Sequence, residues 1–418
     1  MREPLYKSRP VEPNPANFGG QRINDFILLS EAFSNSYLLQ TTEGNIQLNA
    51  GMGIEAPVIK SNFDKSSEGP LRYLILTQGH VDHVGGVAYF REQNPGVQVI
   101  AGAGNPQHQA YDGRLAAFRG NRSAFAFTEK FAAAFEHYAG RGYTDYPAQD
   151  VPVPDVLVED KHCFSLGGLD VQIIAVPGAE TNDSVIVWLP QHKICLTGNL
   201  FGCPFGHFPN LVTIRGDRYR DALTVAAAVQ VVMDLGAETI LYGHHGPVVG
   251  KALIAEELTA LRDAILYVHD ETVRGMNAGV DIHTLMADIQ LPAELDVGQG
   301  YGKVSWSVRA IWENYAGWFK HESTTELYAQ PQNAVHADLV ELAGGSEAIV
   351  QRAQQKLAEN KPVEALHLLD IVLGQEHSAP GAVAVAIAAH ENLLAASENF
   401  WLSSWLKNQI KELRAVSL

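Results

Sequence analysis

Short apolar runs alternate with polar turns as far as about residue 250, and this pattern is typical of buried β-strands. Apolar positions at helical spacing lie between some of these runs, and from about residue 252 the helical spacing continues to the C-terminus. The pattern therefore predicts a mixed α/β region followed by an all-helical region. The predicted strands are 26–29, 36–40, 45–49, 71–76, 97–101, 171–176, 184–189, 193–198 and 239–242. The predicted helices are 84–92, 222–235, 253–276, 304–319, 334–342, 347–357, 362–373, 382–395 and 400–413.

The polar turn after the predicted strand 71–76 carries the densest cluster of chemically active side chains. It reads Thr77-Gln-Gly-His-Val-Asp-His-Val-Gly-Gly, with His80, Asp82 and His83 in a short turn. Two imidazoles and a carboxylate so close together suit a divalent ion such as zinc, manganese or iron. The glycine pair at the end allows a helix to begin close against the strand. A solvated polar turn is the simpler alternative, but the preceding strand and the glycines favour a metal site.

This stretch resembles the His-x-His-x-Asp-His signature of the metallo-β-lactamase superfamily. The resemblance implies an α/β fold, the αββα metallo-β-lactamase sandwich, which carries one or two metal ions. The hairpin around 36–40 and the Asn-Ala-Gly turn at 49–51 also resemble that family. The chain departs from the signature at Gln78, where the family has its first histidine. A carboxamide is a poor zinc ligand, so the first metal position is weakened.

The resemblance implies further ligands in three later turns. Glu180 stands where the first site has its third ligand, and Asn199 stands where a carboxylate bridges the two ions. His245 matches the closing histidine of the second site, with His244 as the alternative. The second site would then consist of Asp82, His83 and His245, and the first of His80, Glu180 and Gln78. Because neither Asn199 nor Gln78 supplies negative charge, we expect one tight site and at most a second weak one, with zinc favoured over manganese or iron.

The helical half resembles the dimerisation domain of the metal-dependent alkyl sulfatases, through the segments 266–279 and 300–319. That resemblance predicts three parts: an N-terminal arm at 1–22, a catalytic domain at 23–251 and a helical dimerisation domain at 252–418. It also implies a homodimer. Asn210 and Arg215 lie where alkyl sulfatases contact the sulfate group, and we assign Asn199 to substrate contact as well. An arginine there offers a bidentate fork to an oxyanion, although Arg215 could instead pair with a surface carboxylate. No counterpart of the family's sterol-carrier-like domain follows the helices.

The composition of the chain limits the range of possible binding partners. The formal charge of −17 disfavours nucleic-acid binding, which needs clustered lysine and arginine. The N-terminus lacks the apolar core of a signal peptide, and no apolar run is long enough to span a membrane. The cysteines Cys163, Cys195 and Cys203 form no paired framework, so reduced and mostly buried thiols are expected. These features predict a cytoplasmic protein.

Together these observations predict a metal-dependent hydrolase that acts on an anionic, ester-type small molecule, a sulfate ester or a related compound. Asp82 would orient or deprotonate the metal-activated water. The segment 103–160, which appears irregular by pattern, is expected to form a wall of the substrate pocket. Two alternatives remain open: a mononuclear non-haem iron oxygenase, and a non-catalytic dimeric scaffold that keeps only the fold.

Overall fold

The computed structural model describes residues 4–9, 11–202, 204–374 and 381–416. The chain forms two compact units, Met1–Tyr315 and Ala316–Leu418. The first unit contains all the strands of the described residues. They are β1 Gln21–Arg22, β2 Ile27–Ser30, β3 Ser36–Thr41, β4 Gly44–Leu48, β5 Leu71–Ile75, β6 Gln98–Gly102, β7 Val156–Val158, β8 Lys161–Leu166, β9 Leu169–Ala175, β10 Val185–Leu189, β11 Ile194–Gly198, β12 Thr239–Tyr242 and β13 Val248–Val249.

Nine of the described α-helices belong to this unit, the last of them ending one residue beyond it. They are α1 Ala56–Asp64, α2 Val81–Val84, α3 Val87–Gln93, α4 Asn105–Arg114, α5 Ala116–Ala139, α6 Ala222–Leu235, α7 Lys251–Asn277, α8 Ile282–Asp288 and α9 Val304–Ala316. The helices α7 to α9, which begin the predicted helical domain, are thus part of the first compact unit.

Two sheets form the centre of the first unit. One has the order β1-β2-β3-β4-β5-β6-β7, with antiparallel pairing up to β4 and parallel pairing from β4 to β7. The other has the order β13-β12-β11-β10-β9-β8, in which only β11 and β12 are parallel. The parallel strands deliver their carboxyl ends, and the turns that follow them, to one edge of each sheet.

Alternation along the strands divides the apolar side chains into three layers. Ile27, Leu29 and Leu39 pack with Ile173 and other residues of the second sheet. Their neighbours in sequence point to the opposite face, because successive strand residues alternate. On that outer face α1, α2 and α3 pack against the first sheet, and on the far side α6, α7 and α9 pack against the second. The predicted αββα sandwich is confirmed.

The second unit is entirely helical in its described residues. Its helices are α10 His336–Leu342, α11 Ser346–Ala358, α12 Pro362–Leu373, α13 Ala382–Ala395 and α14 Phe400–Val416. Successive helices pack as hairpins around buried apolar residues that include Ala353, Leu369 and Ala386. The predicted all-helical C-terminal region is therefore confirmed.

Several elements differ from the sequence-based expectation. The segment 103–160 is helical from Asn105 to Arg114 and from Ala116 to Ala139, in α4 and α5, and is irregular from there to β7. One side of α5 buries Ala126, Ala134 and Tyr138. Of the thiols predicted to be mostly buried, Cys195 is buried and Cys163 is exposed, while Cys203 lies outside the described residues. No helix within the described ranges is both long and apolar enough to cross a bilayer.

Candidate functional site

The turn that follows β5 is held in place by two buried polar side chains from other elements. The Asn49 side-chain oxygen accepts hydrogen bonds from the Thr77 backbone N–H and from the Thr77 hydroxyl, both at 3.0 Å. The Asp183 carboxylate accepts one from the Gly79 N–H at 3.1 Å. Buried polar groups need such partners, so the path of this turn up to His80 is fixed by both sheets.

Asp82 and His83 lie in α2 and are two of the three residues predicted to form the second metal site. The Asp82 Oδ2 atom is 3.5 Å from His83 Nε2. Burial lowers the pKa of His83 to about 4 and that of His244 to about 3. Burial opposes ionisation of Asp82, but His83, His80 and His244 outweigh it and lower the pKa of this carboxyl. At neutral pH the group therefore consists of a carboxylate and neutral imidazoles, the states in which these side chains bind metals.

His244 and His245 are the two candidates for the third member of this set. His244 is among the groups that act electrostatically on Asp82. The His245 backbone has φ 62°, and its carbonyl accepts a 2.7 Å hydrogen bond from the Asn35 side chain. Asn35 also binds the Tyr242 carbonyl, at 3.0 Å. These hydrogen bonds hold the left-handed turn that carries both histidines.

The predicted first metal set is arranged differently. The Gln78 amide nitrogen lies 2.8 Å from His80 Nδ1. The Glu180 carboxylate lies 3.7 Å from the same imidazole nitrogen but forms a closer ion pair, at 3.1 Å, with Arg220. Asp217 lies on the other side of the His80 ring, with Oδ2 3.7 Å from Nε2. The three predicted ligands are thus neighbours, but each already has a partner within the protein.

Asn199 does lie between the two sets, at the end of β11. Its amide nitrogen is 3.1 Å from His83 Nε2, and its backbone N–H donates to the Gln78 side-chain oxygen at 3.2 Å. The approach requires Gly243, because a Cβ there would overlap Asn199 Oδ1. Asn199 therefore touches a histidine of the site itself, which its assignment to substrate contact did not anticipate.

Arg215 and Asn210 lie in the loop between β11 and α6. Burial works to lower the pKa of Arg215, but Tyr301 and the carboxylates Asp217, Asp82 and Glu180 raise it. Arg215 is half-buried, and the carboxylates that act on it include Asp217 as well as Asp82 of the site. The side chain of Asn210 is buried, and its backbone carbonyl accepts a hydrogen bond from Arg220.

Sequence reasoning missed several residues of the site. The His108 ring, on α4, lies 5.5 Å from the His80 ring between centroids. Arg119, on α5, forms an ion pair with Asp217 at 3.2 Å. Both residues come from the segment predicted to form the pocket wall, but no local pattern identified them, because their partners are distant in sequence. A cavity of about 110 Å³ lies between His108, Glu180, Asp217 and Arg220.

The two sets differ in how well they fit the divalent ion that the fold implies. Within the parts of the chain that the structure describes, no three His, Cys, Asp or Glu side chains are already arranged to hold a metal ion. The second set nevertheless offers suitable donors, since His83 Nδ1 and His244 Nε2 are buried without a hydrogen-bond partner there. Side-chain rotation would close this set around one ion. The first set does not fit, because Gln78 presents an N–H group to His80.

Comparison with known proteins agrees with this architecture. The family model for the metallo-beta-lactamase superfamily matches residues 29–244, and that for alkyl sulfatase dimerisation matches residues 282–415. A linear primary-alkylsulfatase of Pseudomonas sp. (strain ATCC 19151) is 26% identical over 390 residues, which cover 90% of this chain and 73% of the relative. An alkyl/aryl-sulfatase of Saccharomyces cerevisiae is 25% identical, over 71% of this chain and 48% of the relative.

Solved structures show the same fold. The stereoselective inverting sec-alkylsulfatase Pisa1 from Pseudomonas sp. superposes with a TM-score of 0.81 and 20% identity. The match covers 95% of this chain and 65% of that protein, so the chain spans about two thirds of it. With the superfamily model matching more than half of its length and the αββα sandwich in place, this chain belongs to the metallo-beta-lactamase superfamily.

Proposed function

We propose that this protein hydrolyses sulfate esters of small alcohols, as a homodimer, with one divalent ion held by Asp82, His83 and His244. Zinc suits two imidazoles and a carboxylate, and manganese and iron are the alternatives. The observation that carries the proposal is the partly exposed Asp82 carboxylate, 3.5 Å from His83, together with neutral imidazoles and with Arg215, on which Asp82 acts electrostatically. The relatives named as alkylsulfatases supply the substrate class.

In such a centre the bound ion lowers the pKa of a water molecule and thereby provides a nucleophile near neutral pH. Side chains of the protein itself carry out the other steps. The Asp82 carboxylate is placed to orient the attacking water. The Arg215 guanidinium, beside Asn210, is placed to bind the sulfate oxygens, and a guanidinium is well matched to a tetrahedral oxyanion. Tyr301 lies close enough to Arg215 to affect its charge and helps to position it.

The test is release of inorganic sulfate from hexyl sulfate and dodecyl sulfate, measured by ion chromatography with zinc-loaded protein. Arg215→Ala is expected to lower kcat/KM by about 10- to 100-fold, since a charge-assisted hydrogen bond contributes about 1.5–3 kcal/mol. Arg218→Ala is the matched control. Arg218 is exposed and stacks on Tyr111, and its loss is expected to leave kcat/KM unchanged.

A second prediction concerns His83. His83→Ala is expected to abolish sulfate release and to reduce the zinc bound per chain, because it removes one of the three donors. Zinc-loaded wild-type protein that releases no sulfate from either ester would refute the proposed activity. If no sulfate is released and the protein also retains no ion, the non-catalytic scaffold is favoured. The observation that supports the scaffold is that no three metal-binding side chains are preassembled in the described residues.

A further inference from the structure

Gln78 and Asn199, which replace expected metal ligands, contact the histidines of the site in the same way. Each is a buried carboxamide, and each places its amide nitrogen against a histidine of the site. Gln78 Nε2 lies 2.8 Å from His80 Nδ1, and Asn199 Nδ2 lies 3.1 Å from His83 Nε2. A carboxamide nitrogen is a hydrogen-bond donor and has no lone pair to give to a cation. The Gln78 contact therefore occupies His80 Nδ1 with a protein donor. The Asn199 contact occupies His83 Nε2 in the same way and leaves His83 Nδ1 as the nitrogen available to an ion.

The orientation of the Gln78 amide is set by a second contact. Its oxygen accepts a hydrogen bond from the Asn199 backbone N–H at 3.2 Å, so the nitrogen must face His80. His80 Nδ1 then acts as the acceptor, and a neutral imidazole with Nδ1 as acceptor carries its proton on Nε2. Asp217 Oδ2 lies 3.7 Å from that nitrogen, which is too far for a hydrogen bond. The result is a hydrogen-bonded path from Asn199 through Gln78 to His80.

The negative charge that could attract an ion to this position is already balanced. Glu180 pairs with Arg220 at 3.1 Å, and Asp217 pairs with Arg119 at 3.2 Å and lies 4.0 Å from Arg220. Burial of Asp217 is outweighed by His80, Arg220 and Arg119, which hold the pKa of this carboxyl well below its usual range. A divalent ion placed here would face two guanidinium groups at close range, and like charges repel strongly in a buried site.

We infer that the first metal position of the fold is taken by this Asn199–Gln78–His80 path, so that the chain holds no more than one divalent ion. The inference deepens the proposed function, on which it rests, since it fixes the number of ions in the same site. It also gives His80 a different role. His80 is a hydrogen-bonded structural imidazole in this protein and does not ligate a metal.

The first experiment counts ions. The protein is equilibrated with excess zinc, freed of unbound zinc by gel filtration and measured by elemental mass spectrometry. The wild type is expected to retain one ion per chain. The double variant Gln78→His/Asn199→Asp, which restores both ligand types, is expected to retain one more than the wild type. Two ions in the wild type would overturn the inference, and so would an unchanged count in a double variant whose circular dichroism shows it to be folded.

The second experiment observes His80 directly in the wild type, and a variant is needed only to assign its resonance. In protein labelled with ¹⁵N-histidine, long-range ¹H–¹⁵N correlations report which ring nitrogen carries the proton, and His80→Gln assigns the resonance. His80 is expected as the Nε2–H tautomer, with shifts unchanged when zinc is added. A zinc-dependent shift of the His80 Nδ1 resonance to that of a metal-bound nitrogen would overturn the inference.

The two experiments separate this inference from the proposed function. In one outcome the wild type binds no zinc, the His80 resonance is unchanged and the double variant takes up zinc. This outcome supports the hydrogen-bonded path but refutes the one-metal centre. A wild type that binds two ions and releases sulfate supports hydrolysis but refutes the path.

Discussion

Asp183 is expected to be one of the most important polar residues for stability, although it binds neither ion nor substrate. It is 2% exposed and accepts hydrogen bonds from the Gly79 N–H at 3.1 Å, the Asn105 side chain at 2.7 Å and the Thr181 hydroxyl at 2.6 Å. Asp183→Ala leaves the first two donors buried without an acceptor, whereas Thr181 keeps a contact with Ser184. Each orphaned buried donor costs about 1–3 kcal/mol, so the loss should be about 2–6 kcal/mol.

Urea unfolding followed by far-UV circular dichroism measures this loss, provided that wild type and variant are compared by midpoint and slope. Asp183→Asn keeps one acceptor oxygen and the side-chain volume, and we expect it to lose less stability than Asp183→Ala. The exposed Asp145→Ala serves as control and should stay within about 0.5 kcal/mol of the wild type. If Asp183→Ala lost less than about 1 kcal/mol, the view that this carboxylate fixes the turn after β5 would be refuted.

Three further changes test other parts of the structure. Burial raises the pKa of Glu55 from its usual 4.5 to about 7, so its proton binds more tightly in the folded chain. The free energy of unfolding should therefore fall by about 3 kcal/mol as pH rises from about 4.5 to 7. Glu55→Gln should flatten this pH dependence in thermal melts, and an unchanged slope would contradict it. Gly243→Ala should cost about 1–3 kcal/mol, because its Cβ would displace Asn199, whereas Gly246→Ala, which meets no atom within 4 Å, should be near neutral. Asp221→Ala removes the N-cap of α6 and should lower stability by about 1 kcal/mol, and Asp221→Ser should recover most of it.

The sequence by itself determined the main strands of the mixed α/β region, the helical C-terminal region and the turn that carries the candidate ligands, because these features depend on local periodicity. The αββα arrangement of the sheets was implied by the resemblance to the superfamily and does not follow from periodicity. Buried strands appear as short apolar runs, helices as apolar residues at three and four spacings, and the turn follows at once from the end of β5. The helices α6, α12 and α13 were predicted with the residues at which they begin and end, because apolar side chains fill them throughout.

The tertiary structure alone decided how the side chains of the site meet. The left-handed turn that carries His244 and His245 is held by hydrogen bonds from Asn35, more than two hundred residues earlier. The positions of His108 and Arg119 depend on how α4 and α5 pack beside Asp217. This packing cannot be predicted from the spacing of residues along the chain. The sequence showed that Gln78 replaces a ligand, but only the neighbouring Asn199 N–H determines which end of its amide faces the imidazole. Contacts between distant segments are set by packing and hydrogen-bond satisfaction in three dimensions, which local periodicity does not encode.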